Sequence, residues 1–518
     1  MASLLESLCC VDVYRILHLV AVFCLSVVLL KVIQLHQRRE TLKRALEPFP
    51  GPASPSLYGQ VHELHWDGYD LDTLHSWSLQ YPFANPVWFG KFTVYLNITH
   101  PEYAKTLLSR TDPIENVAYH FFTPWIGEGL LVLSGQKWYQ HRQLLTPGLQ
   151  RNVLKPYVKI ISTCTNVMLD KLPEQGTSEE TIDICPHISL MTLDSILICT
   201  FSCHTNCQTD IDNPFIKAVL ELTSLVHERL GFIPYYADFL FYLSPLGIRF
   251  QRGCKISRKK TGEMIKQRRE ILKLEENSDK PQSTREADFL DVLLRSRDEN
   301  GQGLSDEDLQ VELNTFMVAG HETMASGISW TLYCLAKYPE HQRKCSEEIT
   351  RVLGERRTME WDDLSLIPYT TMCIKESLRL YPPVPVLTRK LNKPMTFCDG
   401  RSVPEGCPVS VSVYSIHRNP DVWEDPEVFD PLRFSSENSA GRHSHAYLPF
   451  AAGPRSCIGQ HFAMIEIQVA VALTLSHFEL YLDPTRIPIK TAAITLKSRN
   501  GIYLRFESIH EGQKDGKE

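Results

Sequence analysis

Hydrophobic and polar positions divide the chain into three kinds of segment. The first is a nearly unbroken apolar run, residues 19–30, interrupted only by Ser26 and set within "VDVYRILHLVAVFCLSVVLLKVIQL", residues 11–35. A membrane-crossing helix needs about 20 apolar residues. This run is somewhat short, and flanking lysine and arginine stems can snorkel to make up the difference. The second kind is helical in period. A long helix is predicted from "SDED", where Ser305 can cap the backbone with Asp308 three residues on, through Leu309, Leu313, Phe316, Met317 and Ile328 to Tyr338-Pro339, where proline stops it. At 1.5 Å per residue it would span roughly 50 Å. Further helices are predicted over 340–353, 365–380 and, more charged, 256–276. The third kind is short alternating runs such as "VSVSVYSI", 409–416, which predict a minority of strand, and "ENSDKPQSTREA", 276–287, reads as an exposed polar loop. No repeat of 20–50 residues is present, which excludes solenoids and propellers. The pattern predicts a mainly α fold with a small β portion.

One place breaks the long helix's pattern. "VAGHETMASG", 318–327, sets two glycines, a glutamate and a threonine in the middle of an apolar stretch. Glycine costs a helix interior about 1 kcal/mol, and an unpaired buried carboxylate costs several more. Such a weakness inside a core calls for a compensating role.

Composition narrows the setting. With 54 Lys+Arg against 61 Asp+Glu the net charge is −7, which argues against general nucleic-acid binding. The 15 cysteines are odd in number with no CxxC, so neither a zinc ribbon nor a disulfide framework is expected, and most should be packed thiols in a cytosol-facing protein. Lys31, Arg38, Arg39, Lys43 and Arg44 follow the apolar run, while Glu6, Asp12 and Arg15 precede it. Positive charge on the trailing side predicts a retained anchor with the bulk of the chain cytoplasmic, and no Ala-x-Ala-like cleavage site follows. Residues 1–47 are therefore read as anchor and basic flank, 48–518 as the catalytic domain, and "PFPGPASP", 48–55, as a stiff hinge between them. The sequon at Asn97 is expected to be unused.

The strongest chemical signal is "FAAGPRSCIGQ", 450–460. Phe450, Gly453, Arg455, Cys457 and Gly459 fit F-x-x-G-x-R-x-C-x-G. A thiolate on haem iron needs backbone amides aimed at its sulfur. Gly453 and Gly459 permit a tight turn and close approach to a porphyrin, and Arg455 can neutralise a haem propionate. A helix beginning just after Cys457 turns its positive end toward the sulfur.

At these residues the chain resembles the cytochrome P-450 superfamily of haem-thiolate monooxygenases, over essentially everything after the anchor. In "KESLR", Glu376 and Arg379 lie three apart on one helical face, and Arg433 in "FDPLRF" resembles the residue that closes the family's Glu-Arg-Arg triad. Trp138 and Arg142 in "GQKWYQHRQLL" match a W-x-x-x-R whose side chains reach the propionates, and Arg389 matches another propionate partner. The family's oxygen-side helix reads [AG]-G-x-[DE]-T, met here by 319–323. The resemblance implies that Gly320 opens a groove for dioxygen, that Thr323 donates a hydrogen bond there and holds a water, and that Glu322 relays protons from solvent. His321 is read as an ordinary hydrogen-bonded helix residue.

Finer wording, "TPGLQRNVLKPYV", "YTTMCIKESLRLYPPVP", "FDPLRFSSEN" and "CIGQHFAM", resembles family 4, the fatty-acid hydroxylases, and "FSCHTNCQT" leans toward its X subfamily. One departure matters. Many family-4 enzymes carry glutamate where this chain has Ala319, and that carboxylate is esterified to a haem methyl. Alanine has no such group, so haem b is expected to be held by Cys457 and non-covalent contacts, and strict terminal-carbon selectivity is put in doubt. The family's substrate pocket maps to the loop near 121–130 and to Phe316, Ala319, Val386 and Leu387, which suit a lipid entering from the bilayer.

The resemblance implies a single-pass protein of the endoplasmic reticulum membrane. Its electrons would come from NADPH through a separate NADPH–cytochrome P-450 reductase docking on the cysteine side, with cytochrome b5 as a further donor, since the chain has no G-x-G-x-x-G unit. The alternatives are a peroxide isomerase working without a reductase, against which intact Glu322 and Thr323 speak, and a non-catalytic haem carrier or sensor.

Overall fold

The computed structural model describes residues 2–53, 59, 60, 63, 70–91, 93–115, 117–175, 180–277, 287–492 and 494–509. The stretch predicted as one long helix is one, Asp306–Lys337. Its start follows from local chemistry. Ser305, in extended backbone, accepts a hydrogen bond from Asp308 N at 3.0 Å, and Asp306, Glu307 and Asp308 put negative charge on the helix's positive end. Its stop is Pro339, which opens the next helix, Pro339–Leu353.

The long helix packs against helices Ile184–Phe201, Pro245–Glu276, Pro368–Leu380 and Gln460–His477. It therefore buries Leu313, Met317 and Ile328 completely, each such side chain contributing about 1.5–3 kcal/mol relative to exposure. Its glycines serve this packing. A Cβ at Gly327 would lie 3.2 Å from Ile467 Cδ1, and one at Gly320 only 2.7 Å from Ile196 Cδ1. Gly320, expected to open a groove, is thus also a crossing point with helix Ile184–Phe201.

Three boundaries differ from the sequence pattern, each for a local reason. The charged helix begins at Pro245, capped by Ser244, whose hydroxyl accepts from Gly247 N at 3.1 Å. The helix expected from residue 365 instead follows a 3-10 turn, Trp361–Leu366, and starts at Pro368, whose ring favours a first helical position. The alternating run 409–416 is strand only over Pro408–Ser412; Ser412 then accepts from Ser415 N at 3.2 Å and caps a short helix, Val413–Ile416. Most of the polar loop read at 276–287 lies outside the described residues.

Strands Ala84–Phe89, Thr93–Ile98, Pro408–Ser412 and Val386–Lys390 form a sheet in that order. The first pair is antiparallel (Trp88 opposite Val94), the second parallel (Asn97 opposite Ser410), the third antiparallel (Leu387 opposite Val411). Its apolar residues, including Leu96, Val409 and Val411, make a core separate from the main helical one. Asn97 of the sequon is buried there within hydrogen-bond range of Asn85.

The N-terminal run is a continuous helix, Ala2–Leu46. Within it Leu19, Phe23 and Leu25 are 70%, 69% and 71% exposed, so no part of the described fold covers them, and Arg15–Leu46 is long and apolar enough to cross a membrane. Its basic end behaves differently. Leu42 and Leu46, with Phe49 just beyond, are buried in the sheet core, so the segment expected to act as a hinge begins with a packed aromatic ring.

Candidate active site

The loop before helix Gln460–His477 is tied by its own backbone. Cys457 N donates to Phe450 O at 2.9 Å, and Ser456 N donates to Gly453 O at 3.0 Å. Gly453 has φ +72°, and a Cβ there would collide with the carbonyl of Leu108. The turn and its packing against Leu108 already require this glycine. Gly459 is the one that faces the sulfur: a Cβ at that position would lie 3.9 Å from Cys457 Sγ. Burial pushes the Cys457 thiol up, while a hydrogen bond from the Gly459 backbone and the charge of Arg142 pull it back. A cation opposite the sulfur would complete the conversion to thiolate.

Cys457 opens into a cavity of about 300 Å³ whose lining also includes Trp138, Arg142, Arg389, Phe450 and Arg455. The three guanidiniums are poorly satisfied. Arg142 donates to Ser456 O at 2.8 Å, Arg389 to Thr388 O at 2.8 Å, and Arg455 to Leu133 O at 2.7 Å while lying 4.5 Å from the centre of the Trp138 ring. The Nε atoms of Arg389 and Arg455 are buried without a partner among the described residues. Burial, and then the neighbouring charge of Arg389, push Arg455 down to about 10; burial likewise lowers Arg142 and Arg389. Asp112, the acid nearest in effect to Arg389 and Arg455, is already held by Arg110. Desolvated cations with no paired anion among the described residues, beside a thiol held by a backbone amide, fit a haem that brings two carboxylates and an iron.

From the long helix, Phe316, Ala319, Glu322 and Thr323 line the same cavity. The Thr323 hydroxyl donates to Ala319 O at 2.6 Å, so its proton is engaged by its own helix while its lone pairs remain available. Glu322 is buried and ion-paired with Lys497, from strand Leu496–Ser498, and lies 3.5 Å from His321. Burial pushes the Glu322 carboxyl up, but Lys497 and His321 outweigh it and hold it below the usual carboxylate range. The acid is therefore ionised and tethered rather than swinging free. His321 lies 3.2 Å from the Ser189 hydroxyl on the neighbouring helix, as a hydrogen-bonded helix residue would.

Glu376, Arg379 and Arg433 do come together. Arg379 grips Glu376 with two bonds of 2.7 Å, and Arg433 Nε lies 3.4 Å from Glu376 Oε1, with Glu376 and Arg379 wholly buried. His417, which the sequence reading missed, extends this cluster: its Nδ1 donates to Arg379 O at 3.0 Å and its Nε2 accepts from Leu448 N at 2.7 Å, joining the cluster to the chain just before Phe450.

Of the substrate-pocket residues, Phe316, Ala319 and Leu387 line the cavity and Val386 does not; Val384 does. Alternation along strand Val386–Lys390 puts Leu387 and Arg389 on one face and Val386 on the other. The segment read as a loop near 121–130 is helical up to Ile126, in helix Val117–Ile126; Phe122 and Ile126 reach the cavity from that helix and Leu130 from the turn after it. His227 and Thr315 also line it and carry no motif.

A family model described as Cytochrome P450 matches residues 79–505. The chain is 50% identical over 489 residues to Cytochrome P450 4B1 of Rattus norvegicus, covering 94% of this chain and 96% of that one. It is 45% identical over 501 residues to Cytochrome P450 4A11 of Homo sapiens, covering 96% of each. The X subfamily is represented too, by Cytochrome P450 4X1 of Homo sapiens, 44% identical over 499 residues, covering 96% of this chain and 98% of that one.

Proposed function

The chain belongs to the cytochrome P450 family, within family 4, and is a P450 monooxygenase; from that premise we propose that it inserts one atom of O2 into a fatty acid or related lipid. Residues 1–47 anchor the catalytic domain, 48–518, to the cytoplasmic face of the endoplasmic reticulum membrane, and the substrate enters from the bilayer. NADPH supplies electrons through a separate reductase, with cytochrome b5 as a further donor.

A haem held here would supply an iron able to activate O2 with electrons and protons delivered to it. In this reading the chain's own residues do the rest. Cys457 would bind the iron through its sulfur, steadied by the Gly459 amide. Arg142, Arg389, Arg455 and Trp138 would hold the two propionates, and Phe450 and Gly453 fix the loop. Glu322, kept ionised by Lys497, passes protons between solvent and the Thr323 hydroxyl, which holds a water beside the haem. The observation that carries the reading is the gathering of three guanidiniums around Cys457 in one cavity, with no acid paired to them among the described residues. The largely apolar lining supports the lipid class.

Haem held without a covalent link follows from Ala319, which lines the cavity where many relatives would carry a glutamate. Acidic organic extraction is expected to release all the haem; haem left on the polypeptide would overturn this. The function itself is tested by supplying the purified full chain with reductase, NADPH and a set of C10–C20 lipids. NADPH use coupled to an oxygenated lipid is expected. Rearrangement of lipid hydroperoxides without NADPH would instead establish the isomerase.

A further inference from the structure

We propose that Glu312 and His141 are positioning residues, forming a buried strut that fixes the helix of Trp138 and Arg142 against the long helix and so sets how firmly the haem propionates are held. The proposal deepens the reading of the cavity as a haem site and rests on it.

Glu312 lies on the long helix, about one turn before Thr315 and Phe316 and two before Ala319. Residues at those spacings share a face, and Thr315, Phe316, Ala319 and Thr323 all line the cavity. Glu312 itself is wholly buried and lies outside the lining. Its Oε1 accepts twice, from the Leu130 backbone N–H at 2.8 Å and from His141 Nδ1 at 2.6 Å. His141 is buried on helix Gly135–Leu145, between Trp138 and Arg142. Its other ring nitrogen faces Asp308 Oδ1 at 3.7 Å, and Asp308 also pairs with Lys137 of the same helix at 2.8 Å. One face of the long helix, at 308, 312 and 315, therefore meets both helix Gly135–Leu145 and the turn at 127–130. That turn is pressed equally close. A Cβ at Gly127 would lie 2.5 Å from Val311 Cγ2, and one at Gly129 2.5 Å from Thr315 Oγ1.

Apolar packing holds two helices together but lets them slide. Burying a carboxylate is costly unless it is hydrogen-bonded, and here the bonds give direction. One oxygen shared by Leu130 N and His141 Nδ1 fixes the long helix, the turn and helix Gly135–Leu145 at a single point. Trp138 and Arg142 flank His141 in sequence, so their reach into the cavity follows the strut. Arg142 donates to Ser456 O beside Cys457, and the Trp138 ring lies against Arg455. Loosening the strut would be felt at two of the three guanidiniums.

The test compares the haem-loaded full chain with His141→Leu, His141→Asn and a control, Ile349→Ala. Ile349 is wholly buried on helix Pro339–Leu353 and outside the cavity lining. The readouts are haem transfer to apomyoglobin and the propionate bending mode in the resonance Raman spectrum, which follows hydrogen bonding to the propionates. His141→Leu removes the donor and is expected to shift that mode and speed haem loss about fivefold or more, the range of one hydrogen bond. His141→Asn keeps an N–H at the δ position and should recover most of the difference. Ile349→Ala should lower the melting temperature without shifting the mode. Glu312→Gln keeps the shape and loses the charge, so it gives a smaller shift the same way and stands in if His141→Leu does not fold. A mode unmoved in the folded variants, or moved as far by Ile349→Ala, would overturn the proposal. Hydrogen exchange separates the strut from the haem: His141→Leu should speed exchange over 127–145 with or without it. A chain that showed this change yet took up no haem would sink the haem reading and spare the strut.

Discussion

Arg379 and Arg389 are both almost wholly buried, at 0% and 4% exposure, and the fold treats them in opposite ways. Arg379 spends all five of its N–H groups: two on Glu376, and the others on the carbonyls of His417, Pro426 and Val428. Arg389 spends one, on Thr388 O, and its Nε has no partner among the described residues. Arg455 repeats the second pattern. Taking a guanidinium out of water costs several kcal/mol unless it is paired. The first cluster repays that cost within the polypeptide, while the second leaves it outstanding in a cavity. A satisfied buried cation is part of the frame, and an unsatisfied one beside Cys457 is a request for an anionic ligand.

The contrast breaks most visibly at its paired end. Glu376→Ala would strand Arg379 and Arg433 inside the protein. A loss of about 3–5 kcal/mol is expected, a large part of a typical margin of stability, measured as a collapse in soluble yield and in the denaturant midpoint. At the unpaired end, Arg389→Leu should leave the stability of the haem-free chain unchanged or raised, because it removes an unmatched charge. The same change should speed haem loss to apomyoglobin about tenfold or more, the worth of one charge-assisted hydrogen bond. If both substitutions destabilised the haem-free chain alike, the two clusters would not differ in kind.

His417 sharpens the comparison through pH. Burial pushes its imidazole down to about 3 from the ordinary 6.5. The unfolded chain therefore takes up the proton first as pH falls. The stability this neutral ring contributes is intact above about 6.5 and is lost between there and about 3, at up to about 1.4 kcal/mol per pH unit. His417→Asn should flatten that part of the stability–pH curve. The smallest effect belongs to Arg433→Gln. Glu376 keeps both bonds to Arg379, so only about 1 kcal/mol is expected in equilibrium unfolding.

What the sequence made legible was whatever a few neighbouring residues decide. The loop around Cys457 is closed by its own backbone, so its motif survives as a fixed spacing. Glu376 and Arg379 meet within one turn of one helix, and Ser305 caps a helix from three residues away. The rest depended on segments distant in sequence or on a single override. Lys497 lies far along the chain from the Glu322 it holds. His227 has no spacing to announce it, and Val386 and Leu387 are told apart only by the phase of a strand. Ser412 ends an alternating pattern that by itself would have continued as strand. Gly453 and Gly320 carry a further demand that no motif announces: the space left by their missing side chains is also needed by Leu108 and Ile196.

The most direct measurement is the carbon monoxide difference spectrum of the reduced, haem-loaded chain, taken beside Cys457→His. The account predicts the long-wavelength band of a thiolate ligand in the native chain, displaced to the position of a nitrogen ligand, or lost with the haem, in the variant. A native chain that stays colourless with ample haem, or a variant whose band does not move, would contradict it.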